Sequence, residues 1–483
     1  MGRGVMQEVV VDDGTDDAAQ VGPPTGSRRR RGWLAVPVGL VVVGVLVAAQ
    51  HTIDDRERSE IARLADVPGV LEPVDQHLDV VTRATGADAA WMFTPEGSVV
   101  QAADGSQAYV WRDRRTGTVT GSVALLGPTP ALAGSQFYDG TACQSDGGRV
   151  VCLVSDGGTP DSRGPKPKAI EATSTRVIAF RADDGSSMAE WPIDGGDSFA
   201  VLPGAVVVAT LRDQTAAVTS YDLLTGEVRW QLQLGSRTEL DDGGEAAQHV
   251  GIRLADDRLV VRSDDGRTAV VSTEGHLLRD VRVEAGPGFL GWSTIGPDHI
   301  SCASLGSDGV PTTTVLSADG TPQDDLVLTG QEVAMTVDDG SLPGLMLTSA
   351  GTVEAWDATS GRSLWVTDDP VSAEQAIVLR GRVYVAGAGR IVAFDGRSGA
   401  ALWTAGDPDR IVVSTSLLTD GRNILLPQDS SGGAGRGELV ACDAVTGDEA
   451  FRARYPDGVT DLVSNGRQLV GYDASSEAHA LLR

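Results

Sequence analysis

Lysine and asparagine are nearly missing from this 483-residue chain: Lys166 and Lys168 are the only lysines, Asn423 and Asn465 the only asparagines. Neither asparagine has Ser or Thr two positions on, so the chain holds no N-glycosylation sequon. Both rare residues have AT-rich codons, which points to a GC-rich bacterial genome. Arginine supplies nearly all the positive charge, and acidic residues outweigh it to a formal net charge of −28. Phosphate backbones are held by clustered Lys and Arg. The only such cluster, Arg28 to Arg31, adjoins an apolar run, so nucleic acid is excluded as a partner. The acidity reads instead as a soluble, outward-facing surface. Cysteine is scarce, and from about residue 87 onward no long 3.6-period segment occurs. What abounds is glycine, with 60 residues in a chain that is 41% hydrophobic. That is the profile of a sizeable core made of many short strands and tight turns.

One long apolar run is present. Residues 1–26 have no apolar period and read as a disordered tail. After the four arginines, Trp33 to Ala49 is unbroken by charge. At about 1.5 Å per residue it spans roughly 26 Å, near the lower limit for a bilayer core. The spacing predicts a transmembrane helix over 33–53, with a cytoplasmic tail over 1–32 set by the preceding arginines. The competing reading is a cleaved signal peptide, since Val47-Ala48-Ala49 offers small residues for cleavage and Arg30-Arg31 loosely resembles a twin-arginine signal. The long charged leader favours a retained anchor. The expected localisation is the cell membrane, single-pass, with the N-terminus cytoplasmic and the rest extracytoplasmic. Residues 54–86 read as a juxtamembrane helix and linker, broken by Pro68 and Pro73.

The remainder, 87–483, is self-similar. Asp357, Gly361 and Trp365 recur as Asp395, Gly399 and Trp403, as Asp222, Gly226 and Trp230, and as Asp443, Gly447 and Phe451. In each copy the Asp precedes the Gly by four and the aromatic follows it by four. Weaker copies centre on Gly117, Gly185, Gly275 and Gly320; the first has Gly121 where the aromatic should stand. Most spacings are roughly 40–50 residues, the scale of a four-stranded propeller blade. The pattern Ala-x-Asp-x-x-Thr-Gly-x-x-x-Trp resembles the quinoprotein-type, or PQQ-like, propeller repeat. The resemblance implies an all-β propeller of about eight four-stranded blades, with seven the alternative. The C-terminal strands Val459 to Leu482 would complete a blade shared with strands near Trp91 to Val100. It also implies that the aromatics pack between blades. The Gly suits a positive-φ hairpin position and the Asp can bond turn amides, so these twelve residues are assigned to architecture.

Signs of chemistry are few. Cys143 and Cys152 flank a Ser-Asp-Gly-Gly turn, which antiparallel pairing would bring within bridging range. A disulfide is the expectation, two buried thiols the alternative; Cys302 and Cys442 read as single buried cysteines. None of the six histidines has a metal-ligand partner at fitting spacing, and no calcium loop, phosphate loop or nucleophile elbow occurs. No catalytic, cofactor or metal residue is assigned. Quinoprotein dehydrogenases share the repeat, but the resemblance implies a quinone beside adjacent cysteines and a Ca²⁺ with carboxylate and amide ligands. Adjacent cysteines are missing here and Asn is rare.

Two insertions stand out instead, residues 156–175 and 427–437. Both fall between the second and third strands of a blade, on the face opposite the Asp-x-x-x-Gly turns, where loops commonly bind. The sequence therefore predicts a non-catalytic, membrane-anchored binding or scaffold module for a protein or cell-envelope partner. The alternative is a PQQ- or other cofactor-binding enzyme that uses the propeller channel.

Overall fold

The structure, a computed structural model, describes residues 63–483 apart from internal stretches, the longest of which are 86–91, 161–169, 235–248, 283–292, 407–415 and 429–436. These residues form one compact unit from Ile61 to Arg483.

The unit is an all-β propeller of nine blades. Blade 1 comprises Ser98–Gln101, Gln107–Arg112 and Val119–Leu126. Blades 2 to 8 follow in chain order. Their second strands are Arg149–Ser155, Ala205–Arg212, Arg258–Ser263, Ile300–Leu305, Leu345–Ser349, Arg382–Gly387 and Asn423–Gln428. Blade 7 carries a fifth strand, Ala334–Asp338, parallel to its inner strand Gln375–Leu379. Blade 9 is built from both chain ends: Asp461–Asn465, Gln468–Asp473 and Ala478–Leu482 from the C-terminal side, and Val80–Thr85 as the outer strand.

Burial explains the strand sequences. Second strands lie between two neighbouring blades and are apolar on both faces; all six residues of Asn423–Gln428 are buried. Outer strands have one wet face and alternate, as in Glu449–Arg454. Most apolar clusters straddle two blades. Val207 and Leu234 of blade 3 meet Ile252 and Val261 of blade 4, for example. Each such side chain taken from water contributes about 1.5–3 kcal/mol. Met92, which precedes blade 1 in the chain, packs against Val470 and Leu481 of blade 9, and Asn465 Nδ2 bonds the Met92 carbonyl. Ahead of the ring, Leu64, Val70 and Leu71 are buried, and the Leu71 and Glu72 amides bond the carbonyls of Thr419 and Arg467 at 2.8 and 2.7 Å.

Two expectations are corrected. The blade count is nine, not about eight or seven. The described turn glycines mark hairpins that lead into outer strands, and blade 9 has no such hairpin because its last two strands come from opposite ends of the chain. A count of turns therefore misses one blade, and the closing partner is Val80–Thr85 rather than the stretch near Trp91 to Val100. The membrane placement is also corrected. No helix among the described residues is long and apolar enough to cross a membrane, and the expected span at 33–53 lies outside the described residues. The single-pass fold and cell-membrane localisation are not retained.

Candidate functional site

The twelve motif residues form joints between blades. Asp222 Oδ1 accepts the Leu224 and Thr225 amides, both at 3.0 Å, while Gly226 N–H donates to the Asp222 carbonyl at 2.9 Å. Asp357, Asp395 and Asp443 repeat this at Gly361, Gly399 and Gly447. Gly226 and Gly399 have φ of +72° and +71°. A Cβ there would meet the Trp191 or Trp365 ring of the preceding blade at 2.7 Å, so these positions require glycine twice over.

The tryptophans bond across the same seams. Trp191, Trp230, Trp365 and Trp403 donate Nε1–H to the carbonyls of Leu223, Thr273, Gly396 and Ala444, at 3.0, 3.0, 2.9 and 3.4 Å. Phe451 packs into the cluster shared with Val459 and Leu462 of blade 9. Where the motif lapses, other chemistry takes its place. Arg279, four residues after Gly275, forms a buried two-point pair with Asp325 of blade 5, at 3.0 and 2.6 Å. Leu326 covers Gly361. Trp111, on the middle strand of blade 1, lies over Gly121 and reaches Gly185 of blade 2. These substitutes were missed in the sequence, although Arg279 and Leu326 both lie within six residues of a turn glycine.

Asp222 is held down to about 2, first by its bond from Arg229 and then by the Thr225 and Leu224 amides. Burial pushes the thiols of Cys302 and Cys442 up to about 11. Cys143 and Cys152 stand opposite each other on the two inner strands of blade 2 and are joined by a disulfide.

Because strands alternate in direction, second-to-third-strand connections leave one face, here called upper, and the Asp-Gly turns leave the other. The connections from Ser155 to Thr175 and from Gln428 to Glu438 both exit the upper face. Much of each loop lies outside the described residues, but the base of the first is built. Asp156 Oδ1 accepts the Thr173 and Ser174 amides at 2.7 and 2.8 Å. Gly158 and Ile170 exchange backbone bonds of 2.9 Å, and Thr159–Pro160 pairs with Phe137–Asp139. Burial works against the Asp156 charge, but the Thr173 and Ser174 bonds outweigh it and hold the carboxyl below its ordinary range.

Beside this clasp opens a cleft of about 720 Å³. Thr173, Arg176, Glu190, Trp191, Asp194 and Arg212 line it. Arg212 pairs with Asp194 at 2.7 Å and Arg176 with Glu190 at 3.3 Å. Arg176 also donates to the Leu125 carbonyl of blade 1 at 2.6 Å. An ion-paired rim over Pro192 and Ile193 suits binding. The residues present do not fit a pyrroloquinoline quinone site. The bridged cysteines are nine positions apart, Asn423 Nδ2 is spent on Asp420, and Asn465 is spent on Met92.

The fold is a β-propeller whose two long second-to-third-strand connections leave the same face. The PQQ repeat family model described as outer membrane protein assembly factor BamB matches residues 321–471, from the outer strand of blade 5 through blades 6 to 8 into blade 9. Among solved structures, BamB from Moraxella catarrhalis aligns at 16% identity over 84% of this chain and 100% of that one, with a TM-score of 0.39. The computationally designed Ika8 protein aligns at 16% identity over 86% and 100%, with a TM-score of 0.37. No curated protein matches the sequence.

Proposed function

We propose that the chain is a non-catalytic binding or scaffold module that holds a protein partner on its upper face, at the cleft over blade 2. The observation that carries this reading is the built clasp. An insertion with no role in the blade is fastened at its base by Asp156 and by an added two-stranded ribbon, and a cleft opens against it. Loops on a rigid scaffold are the usual carriers of binding. The matching family model is named for an assembly factor, a role that a non-catalytic scaffold fills.

A photo-crosslinking residue placed at Thr173 in the full chain tests this in cells. It should capture a discrete protein partner. The same residue at Thr359, on the lower face, should not, and Arg212→Glu should abolish capture from Thr173. Equal capture from both faces would remove the upper-face assignment. Dye reduction after adding pyrroloquinoline quinone and Ca²⁺ to the purified protein would remove the non-catalytic one.

A further inference from the structure

Exposed sheet edges recruit extended chains, and proteins usually guard them with charge, proline or shortness. The outer strands of this propeller follow that rule except in blades 1 and 7. Those of blades 2, 3, 4, 6, 8 and 9 carry charge, for example Glu190, Arg229, Asp280, Arg362, Arg452 and Arg83. Blade 5 ends in a strand of four residues. Blade 1 ends in Val119–Leu126, eight residues with no charge and no proline. Its Thr120, Ser122 and Ala124 are exposed, as is Val119 at 50%. Blade 7 offers the nearest rival, Ala401–Gly406, which is also uncharged but has six residues and Trp403 at its centre. Blade 1 has Gly121 at the corresponding position, so no side chain projects from the middle of its outer strand, although the Trp111 ring of the neighbouring strand packs over that glycine.

The upper end of this strand is tied to the candidate site. Arg176, which lines the cleft, donates to the Leu125 carbonyl. From this geometry we infer that the outer edge of blade 1 is a strand-addition site for one extended segment of the partner polypeptide, running up to the cleft. The inference rests on the binding-module reading above. A second copy of this chain is the wrong occupant. Each copy carries a net charge of −28, and edge-to-edge pairing sets strands only about 4.8 Å apart. A segment uncharged along its strand and basic at its flanks complements a neutral strip on an acidic protein. Backbone bonds would give affinity and alternate side chains selectivity.

The test uses the full chain and a capped peptide of alternating threonine and valine flanked by lysines. Hydrogen exchange should show new protection of amides within 119–124, and the same peptide N-methylated at alternate residues should bind about ten-fold more weakly or worse. Binding with protection only at 172–176 and 190–195 would overturn the edge assignment while leaving the cleft reading intact. Protection at 119–124 without any at the cleft would support the edge and count against the cleft. Equal binding of the N-methylated peptide, no binding at all, or self-association protecting 119–124 without peptide would each overturn the inference.

Discussion

At the residue scale, the joints convert a short motif into stability. Trp365 is buried, caps Gly399 and bonds the Gly396 carbonyl. Trp365→Ala should cost about 3–5 kcal/mol, as truncation of large core aromatics does. Trp365→Phe keeps most of the buried area but leaves that carbonyl without its donor, so about 1 kcal/mol should be lost from the bond alone. Urea unfolding followed by tryptophan fluorescence or circular dichroism separates the two variants. Asp222 makes a pH prediction. Its carboxyl lies at about 2 in the folded chain against 3.8 ordinarily. A depressed folded value means that its contribution is fully present above 3.8 and is lost as pH falls toward about 2. Asp222→Asn should flatten that part of the acid-unfolding profile, and so should Arg229→Ala, which removes the largest cause of the shift. An unchanged acid limb in both variants would show that the turn contributes nothing pH-dependent.

At the element scale, the seams show what was legible in the sequence. Where Asp, Gly and Trp all stand in register, as at Gly226 and Gly399, the blade and its turn could be read directly. The seam between blades 4 and 5 could not be, because a buried ion pair, Arg279 with Asp325, does the work of the aromatic. Charged residues near a turn ordinarily read as solvated surface. Only the approach of the next blade makes them a joint. Trp111 escaped for a related reason. It sits on the strand opposite Gly121, so the ring comes from a position that no linear spacing rule samples. The cleft was half legible: the insertion at 156–175 was visible as excess length, but Arg176, Glu190 and Arg212 lie on three different strands and meet only after folding. The ion-pair seam is testable. Asp325→Ala strands a buried guanidinium and should cost about 3–5 kcal/mol, whereas Arg279→Met with Asp325→Leu should recover most of that loss or exceed it. If the double variant is no more stable than the single, then the pair's bonds to blade 5, such as Ser317 N–H to Asp325 at 2.9 Å, matter more than its charge.

At the scale of the whole molecule, contacts run between neighbouring blades, and one pairing joins the two ends of the chain. Strand Val80–Thr85 lies along Ala478–Leu482, and Asp79 and Arg483 exchange backbone bonds of 2.9 and 3.0 Å. Every other blade with described outer strands takes them from a local hairpin. Closing the ring therefore costs the entropy of the largest loop in the fold, and blade 9 is the unit that repays it. In a chain of nearest-neighbour units, the weakest link is the one whose strands are not held together by sequence. Blade 9 should accordingly open at a lower free energy than blade 3, whose four strands run consecutively from Ser198 to Leu234. Native-state hydrogen exchange can read this directly, with amides of Gln468–Asp473 exchanging ahead of those of Ala205–Arg212. Removing residues 478–483 should have the same signature, since it leaves blade 9 without its closing pair. Protection should fall first in blade 9 and then at its seams with blades 8 and 1, while blades 2 to 4 hold. Uniform loss of protection around the ring would mean that the propeller unfolds as one cooperative body and that closure is not its weak point.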